Sequence, residues 1–233
     1  MLAAALLFLA YNVDFESTAD EKSIALIQQS NADVVCLEEV TARFQRRFES
    51  RLGKIYPHRA FFPAQGTWGL AIASRLPLSQ VVRFKQEPHR MPALAARVAG
   101  LEVACLHLFP PGARRDKSKG FLATMQANAK LRAEQARGIA QRYAEATVPV
   151  ILAGDLNEGP DDEASAVLRS AGFRDGCDAA GSACGATWPG DSSAWPAIAR
   201  IDHILARGAA VGDAKVIKGG GSDHFAVAAR IAR

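Results

Sequence analysis

Acidic, amide and imidazole side chains recur where apolar runs of the sequence end. Seven of them are Asn12, Asp14, Glu38, Glu39, His107, Asp155 and Asn157, and three more lie nearer the C-terminus, namely Asp202, Asp223 and His224. Carboxylate and amide oxygens bind divalent metals, and a histidine beside a carboxylate suits proton transfer or contact with an anion. These residue types therefore suit a metal-assisted or acid–base reaction.

Each of these residues has a simpler explanation when it is taken alone. An Asp or Asn directly after a strand is more often a turn former or a helix cap than a catalytic group. His107 alone would be interpreted as a core histidine, and Ser222-Asp223-His224 as a turn into the last strand. Only the occurrence of all these groups together, at the ends of successive strands, favours a common site.

The elements that would position these side chains are short runs rich in Val, Ile and Leu, which predict buried strands. The runs are 6–13, 33–37, 70–73, 94–98, 101–108, 148–152, 201–206 and 225–231. Helical patterns occupy 20–29, 41–52, 116–146 and 161–171, some of them opened by an Asp or Thr that can cap a helix. A strand end holds its side chain at the edge of a rigid sheet, so several such ends can converge on one pocket.

The long third helix carries an apolar stripe at a spacing of three or four residues, which predicts a seam that faces the core. The stripe consists of Phe121, Met125, Ala129, Ala133, Ala136, Ala140 and Tyr143.

The connections between the runs indicate the fold class. Only residues 99–100 join the fourth and fifth runs, and a link of two residues predicts an antiparallel hairpin inside an otherwise alternating α/β pattern. Two mixed β-sheets packed together and flanked by helices, a four-layer sandwich of the α/β (α+β) class, accounts for strands that are apolar on both faces. We expect one domain over residues 1–233, because no linker-like stretch divides the chain.

Composition excludes several classes of protein. The chain has 233 residues, 49% hydrophobic and 22% charged, with a net charge of +4, which excludes a disordered, collagen-like or coiled-coil chain. Cys36 and Cys105 lie in apolar runs and are expected to be buried thiols. Cys177 and Cys184 flank a small-residue loop, where they are either free or paired in an oxidising compartment.

The first ten residues are apolar but too few to span a bilayer, and they lack the positive charge that opens a signal peptide. They predict a first strand. Residues 1–5 leave open that the chain continues a membrane segment of a longer parent, and membrane association is expected only through such an upstream segment.

Seven motifs in order resemble those of the endonuclease/exonuclease/phosphatase superfamily, the deoxyribonuclease I-like proteins, over essentially the whole chain. They are Tyr11-Asn12-Val13-Asp14, Leu37-Glu38-Glu39-Val40, Gly69-Leu70-Ala71-Ile72-Ala73-Ser74-Arg75, Cys105-Leu106-His107-Leu108, Gly154-Asp155-Leu156-Asn157, Arg200-Ile201-Asp202-His203-Ile204 and Gly221-Ser222-Asp223-His224. The chain departs from the family pattern at two positions. Glu38 replaces a usual Gln, and His203 replaces a usual aromatic residue in the strand before the last.

The resemblance implies a role for each polar residue. Glu39 and Asn12, with Asp14 or Asp223 across the pocket, would bind the metal, and oxygen donors favour Mg²⁺ or Mn²⁺ over zinc. Asp155 would orient or deprotonate the attacking water, and Asn157 would place that water and bind the phosphate. Asp202 would hold His224, and His224 and His107 would donate to phosphate oxygens.

The resemblance narrows the reaction more than the substrate. It implies a Mg²⁺-dependent phosphoesterase that acts on phosphodiesters, with nucleic acid as the leading substrate class. The alternatives are a sphingomyelinase-like phospholipid hydrolase, an inositol-phosphate hydrolase, and a non-catalytic binding platform on the same fold. The chain is similar to bacterial members of the superfamily that have membrane segments upstream, so we expect an extracytoplasmic or membrane-associated location. We also expect a monomer.

Three residues are candidates for contact with the substrate. Arg114 and Arg115 belong to a basic run in the loop after His107, where they would guide a polyanion. Trp188, with Trp195, lies on a Gly/Ser/Pro-rich loop; these rings either form a lip that stacks a base or covers a lipid, or fold back over the core.

Overall fold

The computed structural model describes residues 5–88, 90–113, 120–179, 182 and 184–232. Within this part of the chain there are four α-helices, α1 (Asp20–Ser30), α2 (Ala42–Leu52), α3 (Phe121–Arg142) and α4 (Glu163–Ser170). The first six strands are β1 (Leu6–Asn12), β2 (Val34–Glu38), β3 (His58–Phe62), β4 (Leu70–Ser74), β5 (Leu78–Gln86) and β6 (Met91–Val98). The other six are β7 (Leu101–His107), β8 (Val150–Asp155), β9 (Arg174–Asp175), β10 (Asp202–Arg207), β11 (Ala210–Ile217) and β12 (Ala226–Ala232).

The strands form two six-stranded mixed sheets. The first has the order β11-β12-β1-β2-β4-β3 and the second the order β5-β6-β7-β8-β10-β9. Each sheet has one parallel pair near its centre, β1 with β2 and β7 with β8, and its other pairings are antiparallel. The first strand pairs with the last, so both ends of the chain contribute to the same sheet.

Three apolar clusters give the four layers that the sequence predicts, and the fold class is confirmed. The central cluster, which includes Phe8, Ile72 and Val103, fills the space between the two sheets. A second cluster joins the outer face of the first sheet to α1 and α2, and a third joins the outer face of the second sheet to α3 and α4. Strands inside this sandwich are covered on both faces, which explains their unbroken apolar runs.

Local signals in the sequence agree with the structure at two sites. Ala99 and Gly100 have φ values of 50° and 79°, as a tight two-residue hairpin turn requires, and the antiparallel pairing of β6 with β7 is confirmed. The hydroxyl of Thr41 accepts a hydrogen bond of 3.1 Å from the backbone N–H of Phe44 and so caps α2.

The prediction of an apolar seam along α3 was wrong for the first half of the helix. Ala133, Ala136 and Tyr143 are buried as expected, but Phe121 is exposed. The buried residues of the N-terminal half are polar instead, because this end lies against the loop after β7, whose carbonyl groups need donors. The Asn128 amide donates to three of those carbonyls, at Pro110, Pro111 and Ala113.

The structure also shows the state of the cysteines and the position of the first strand. Cys177 and Cys184 form a disulfide bond, and Cys36 and Cys105 are buried free thiols. The apolar run that begins at Leu6 forms β1, as predicted. Among the helices that the structure describes, none has the length and apolar character needed to cross a bilayer.

Gly154 fixes the close approach of β8 to β7 just before Asp155. Its φ is +138°, and a Cβ atom would lie 2.1 Å from the carbonyl oxygen of Leu106 and 2.7 Å from Glu38 Oε1. We expect Gly154→Ala to lower the free energy of unfolding by about 3 kcal/mol, because both the backbone conformation and the backbone contact oppose a side chain. Urea unfolding measures this change.

Gly138→Ala is the matched control, because Gly138 is an exposed residue of α3 whose Cβ would meet nothing within 4 Å. Alanine favours a helix over glycine by about 1 kcal/mol, so this variant should be slightly more stable than the wild type. Equal stability of the two variants would contradict the steric argument.

Candidate active site

The register of the strands brings five polar residues to one edge of the sandwich. Asn12 lies opposite Glu38 across β1 and β2. His107 lies opposite Asp155 across β7 and β8, and Asp155 lies opposite Asp202 across β8 and β10. Because backbone pairing sets these positions, the side chains are held on rigid elements rather than on loops.

One amide joins the carboxylates of the two sheets. Asn12 Nδ2 lies 3.2 Å from Glu39 Oε1 and 3.2 Å from Asp155 Oδ2. The other Glu39 oxygen accepts the backbone N–H of Phe15 at 3.2 Å, and Asn12 Oδ1 accepts the backbone N–H of Asp14 at 3.0 Å. The structure therefore places Asn12, Glu39 and Asp155 in direct contact.

The remaining carboxylates at this edge crowd the same region. Burial, followed by the charges of Asp223 and Glu39, raises the pKa of Asp14 above its ordinary value. Asp223 lines the same pocket as Glu39 and Asp155. The site therefore concentrates negative charge that favours a bound cation.

The oxygen donors of this site fit a hard divalent ion. The Asn12 amide contacts the carboxylates of both Glu39 and Asp155, and the carboxylates of Asp14 and Asp223 lie nearby. Mg²⁺ and Mn²⁺ prefer oxygen ligands of this kind. Asp155, Asp202 and His224 also offer ligand atoms that lie within 4.8 Å of one another. Both oxygens of Asp202 already lie within hydrogen-bond distance of His224 Nδ1, which favours that partner over an ion.

His107 is buried and held between the two sheets. Its Nδ1 lies 3.1 Å from the carbonyl oxygen of Thr67, which can only accept, so Nδ1 carries the proton. Its Nε2 lies 3.4 Å from Asp155 Oδ2 and 4.0 Å from Glu39 Oε1. The backbone thus orients the ring so that Nε2 faces the carboxylates.

Asp202 and His224 form a second oriented pair. His224 Nδ1 lies 2.9 Å and 3.1 Å from the two oxygens of Asp202, and His224 Nε2 lies 3.7 Å from Asp155 Oδ2. Burial alone would lower the pKa of His224, but the charges of Asp202 and Asp155 raise it well above its ordinary value. The imidazolium form, which donates to an anion, is therefore favoured.

Two hydrogen bonds hold Asn157 beside Asp155. Its backbone N–H donates to Asp155 Oδ1 at 2.7 Å, and its side-chain Nδ2 donates to the carbonyl oxygen of Leu108 at 3.1 Å. Burial raises the pKa of Asp155, and the nearby imidazoles of His224 and His107 act against this rise. A carboxylate with a raised pKa is a better proton acceptor than an ordinary Asp.

The backbone is strained at three residues of the candidate site. Asp14, Glu39 and Asn157 have φ values of 60°, 59° and 51°, in the left-handed region that non-glycine residues seldom adopt. Such strain is retained where the surrounding structure over-determines it, which is common at functional sites.

Sequence reasoning missed the residues that orient this site. Ser222 Oγ donates to the carbonyl oxygen of Asn12 at 2.8 Å and accepts the backbone N–H of His224 at 3.0 Å. Thr187 Oγ1 accepts the backbone N–H groups of Ile201 and Asp202 at 3.0 Å and 3.3 Å. Ser222 lies inside a motif and could have been found there, whereas nothing in the sequence marks Thr187 as a partner of Asp202.

Glu38 does not share the pocket with Glu39. Its side chain lies wholly buried between the sheets, where Cys105 Sγ donates to Glu38 Oε1 at 3.1 Å. Burial, with the Cys36 thiol as the next cause, raises the pKa of Glu38 well above its ordinary value. The carboxylate that replaces the usual Gln therefore does not lie beside Glu39 in the pocket, because Glu38 is the last residue of β2 and Glu39 follows the strand with a φ of 59°.

A pocket of about 590 Å³ opens over these groups. Its polar floor includes Glu39, His107, Asp155 and His224, and Trp188 and Ile198 line it as well. Trp188 therefore lies at the pocket, one of the two arrangements that the sequence left open, and its contact with a substrate stays a prediction. The predicted contacts of Arg114 and Arg115 lie outside the described residues.

His203, the second departure from the family pattern, belongs to a buried ionic cluster rather than to the pocket. The sequence placed His203 in the strand before the last. This was wrong, because the sequence did not predict β11, and His203 lies on β10 with both β11 and β12 after it. Its Nδ1 lies 2.6 Å from Asp175 Oδ2 and its Nε2 lies 2.9 Å from the carbonyl oxygen of Glu158. Burial alone would lower the pKa of His203, but the hydrogen bond and charge of Asp175 raise it.

This cluster predicts a pH-dependent contribution to stability. A histidine whose pKa is raised in the folded state stabilises fully below its unfolded pKa and loses that contribution as the pH rises through the folded pKa. We expect His203→Gln to lower the free energy of unfolding by about 2 kcal/mol below pH ~6.5, and by less at higher pH. Urea unfolding over a pH series measures the difference, and a loss that stays constant with pH would contradict this account.

The fold agrees with comparisons to known proteins. The Endonuclease/Exonuclease/phosphatase family matches residues 9–224, and the chain belongs to this family. The protein is therefore a hydrolase of phosphoric esters. No curated protein matches the sequence.

Several solved structures share the fold at low sequence identity. A 3′ phosphatase NExo from Neisseria bound to a product DNA hairpin has a TM-score of 0.75 and 18% identity, over 97% of this chain and 99% of that one. TDP2 from D. rerio complexed with a single-strand DNA product has a TM-score of 0.74 and 20% identity, over 98% and 99%. SmcL has a TM-score of 0.72 and 17% identity, over 98% and 99%.

Proposed function

We propose that this protein hydrolyses phosphodiesters by attack of water on phosphorus, assisted by Mg²⁺ or Mn²⁺ at Glu39 and Asn12. The observation that carries the proposal is the position of Asp155, whose Oδ2 lies 3.2 Å from Asn12 Nδ2, 3.4 Å from His107 Nε2 and 3.7 Å from His224 Nε2. A carboxylate between metal-binding groups and two imidazoles can act on water while the imidazoles contact the phosphate.

Four residues of the site have separate roles in the proposed reaction. Asp155 orients the attacking water and accepts its proton, and Asn157 positions the water and a phosphate oxygen. Nε2 of His224, in the imidazolium form that Asp202 favours, donates to a phosphate oxygen, and Nε2 of His107 faces the same space. The divalent ion, when bound, offsets the charge that develops on the phosphoryl oxygens.

A hydrolysis panel tests this function. Purified protein is incubated with bis-p-nitrophenyl phosphate, plasmid and single-stranded DNA, RNA, sphingomyelin and inositol phosphates, each with Mg²⁺, Mn²⁺ or EDTA. Turnover of a diester that EDTA abolishes is the expected result. Hydrolysis of monoesters alone would overturn the diester assignment, and the absence of both turnover and Mn²⁺ binding would favour the non-catalytic binding platform.

We further propose an extracytoplasmic location, which the Cys177–Cys184 disulfide supports, because such bonds persist mainly in oxidising compartments. Thiol counting on denatured protein isolated from its natural host tests this proposal. Two reactive thiols per chain, from Cys36 and Cys105, are expected, and four would overturn the placement.

A further inference from the structure

Three consecutive glycines, which we call the glycine turn, lie shortly before His224 in the chain: Gly219, Gly220 and Gly221. Gly219 and Gly221 have φ values of 96° and 76°, and a Cβ atom on Gly220 would clash with the hydroxyl oxygen of Tyr11. These positions therefore favour glycine, whose backbone is the least restricted of all residues. Contacts from outside the turn must fix its conformation and, with it, the direction of the chain into His224.

The side chain of Asp191 supplies such a contact. One carboxylate oxygen, Asp191 Oδ2, accepts the backbone N–H of Gly219 at 2.7 Å and that of Gly221 at 3.1 Å. Hydrogen bonds to an ionised acceptor are stronger than bonds between neutral groups. The carboxylate therefore ties both ends of the glycine turn to a distant segment of the chain.

Neighbouring backbone contacts place this carboxylate beside the catalytic histidine. The backbone N–H of Gly190 donates to the carbonyl oxygen of Asp223 at 2.6 Å, and the carbonyl oxygen of Thr187 accepts the backbone N–H of Phe225 at 2.8 Å. A Cβ atom on Gly190 would lie 2.6 Å from the carbonyl carbon of His224. The segment that carries the carboxylate thus packs directly against the backbone of the histidine.

Two hydroxyl groups hold the glycine turn through other atoms. Ser23 Oγ donates to the carbonyl oxygen of Gly220 at 2.9 Å, and Ser17 Oγ donates to that of Gly221 at 3.3 Å. These bonds engage carbonyl groups, whereas the carboxylate engages N–H groups, so neither set replaces the other. Loss of the carboxylate should therefore leave the turn attached to the fold but free to vary its path.

The position of His224 depends on that path. Its Nδ1 lies 2.9 Å from Asp202 Oδ2, and its Nε2 lies 3.7 Å from Asp155 Oδ2. Both carboxylates belong to strands of the second sheet, whereas His224 precedes β12 of the first sheet. A change in the turn would therefore move the imidazole relative to both partners, and a misplacement of about 1 Å can lower a rate about 100-fold.

We propose that Asp191 is a positioning residue of the phosphodiesterase, which fixes the glycine turn and thereby holds the His224 imidazole against Asp202 and Asp155. The inference rests on the proposed function. In the described part of the chain, Asp191 is not among the residues that line the catalytic pocket, so it acts on the reaction only through His224.

The test compares three variants. Asp191→Ala removes the carboxylate, and Asp191→Asn keeps a side-chain oxygen that can accept the same two N–H groups. Asp33→Ala is the matched control, because Asp33 Oδ2 also accepts a backbone N–H, that of Leu7 at 2.9 Å, at the opposite end of β1 from Asn12. Each protein is assayed for kcat and KM on bis-p-nitrophenyl phosphate, for urea unfolding, and for the downfield proton NMR signal of the His224 Nδ1–H group, which His224→Gln identifies.

Asp191→Ala is expected to lower kcat at least about tenfold with little change in KM, and to broaden or remove the Nδ1–H signal. Asp191→Asn and Asp33→Ala should keep kcat within about twofold and retain the signal. A wild-type kcat and signal in Asp191→Ala would overturn the positioning role, and so would an equal loss of kcat in either of the other two variants.

Failure of the proposed function gives a different result. Wild-type protein that hydrolyses no phosphodiester would overturn that function. The NMR signal needs no substrate, so its loss in Asp191→Ala alone would still support the positioning of His224, and its retention there would still overturn it.

Discussion

Replacing Asp155 by Asn is expected to lower the rate of phosphodiester hydrolysis about 1000-fold while the protein stays folded. Asp155 Oδ2 contacts Asn12, His107 and His224, and the substitution removes the group that accepts a proton from water, an effect of about 100- to 10,000-fold in enzymes. The measurement is kcat on bis-p-nitrophenyl phosphate with saturating Mg²⁺.

Stability distinguishes a catalytic effect from loss of structure. Burial raises the pKa of Asp155, so the charged carboxylate is held at a cost, and the neutral amide should unfold at an equal or higher urea concentration. Asp161→Asn, the same chemical change at an exposed position six residues along the chain, should leave kcat and the unfolding midpoint unchanged. An Asp155→Asn protein with more than a tenth of the wild-type kcat, about 1.4 kcal/mol in activation free energy, would refute the role of Asp155.

The interior of the fold was predictable from the sequence because its strands are covered on both faces. Buried strands such as β1, β2 and β8 appear as continuous runs of Val, Ile and Leu. A polar residue at the end of such a run stands out, which is how Asn12 and Asp155 were found.

The strands that the sequence did not reveal are the four edge strands of the two sheets. These are β3, β5, β9 and β11. An edge strand faces solvent, so its side chains are mixed or polar and carry no apolar run. Six of the nine residues of β5 are exposed, which removes the signal that identified its buried neighbour β6.

Contacts that join distant segments could not be predicted from local pattern. The N-terminal half of α3 was expected to bury Phe121, but this half meets the carbonyl groups of a loop and buries Asn128 in its place. Thr187 supports Asp202 across fifteen residues, and nothing in the sequence around either residue indicates the contact. Pairings of this kind follow from tertiary packing, which overrides propensity and periodicity.

Glu39→Gln provides the sharpest test of the metal assignment. Glu39 Oε1 lies 3.2 Å from Asn12 Nδ2, and its other oxygen is fixed by the backbone N–H of Phe15. Replacement by an amide keeps the shape of the side chain but removes the negative charge that a divalent ion requires. We expect the concentration of Mg²⁺ at half-maximal activity to rise on the order of 100-fold, and calorimetry without substrate should show a parallel loss of Mn²⁺ affinity.

The neighbouring residue offers a matched control for the same substitution. Glu38→Gln makes an identical chemical change one position away, but Glu38 is buried between the sheets beside Cys105, and burial raises its pKa well above the ordinary value. Because that side chain already favours its neutral form, Glu38→Gln should leave the Mg²⁺ requirement unchanged, as the Gln usual at this position in the family suggests. Equal loss of Mn²⁺ affinity in both variants, or in neither, would show that the ion is held elsewhere. A loss confined to Glu39→Gln would place it at the edge where the two sheets meet.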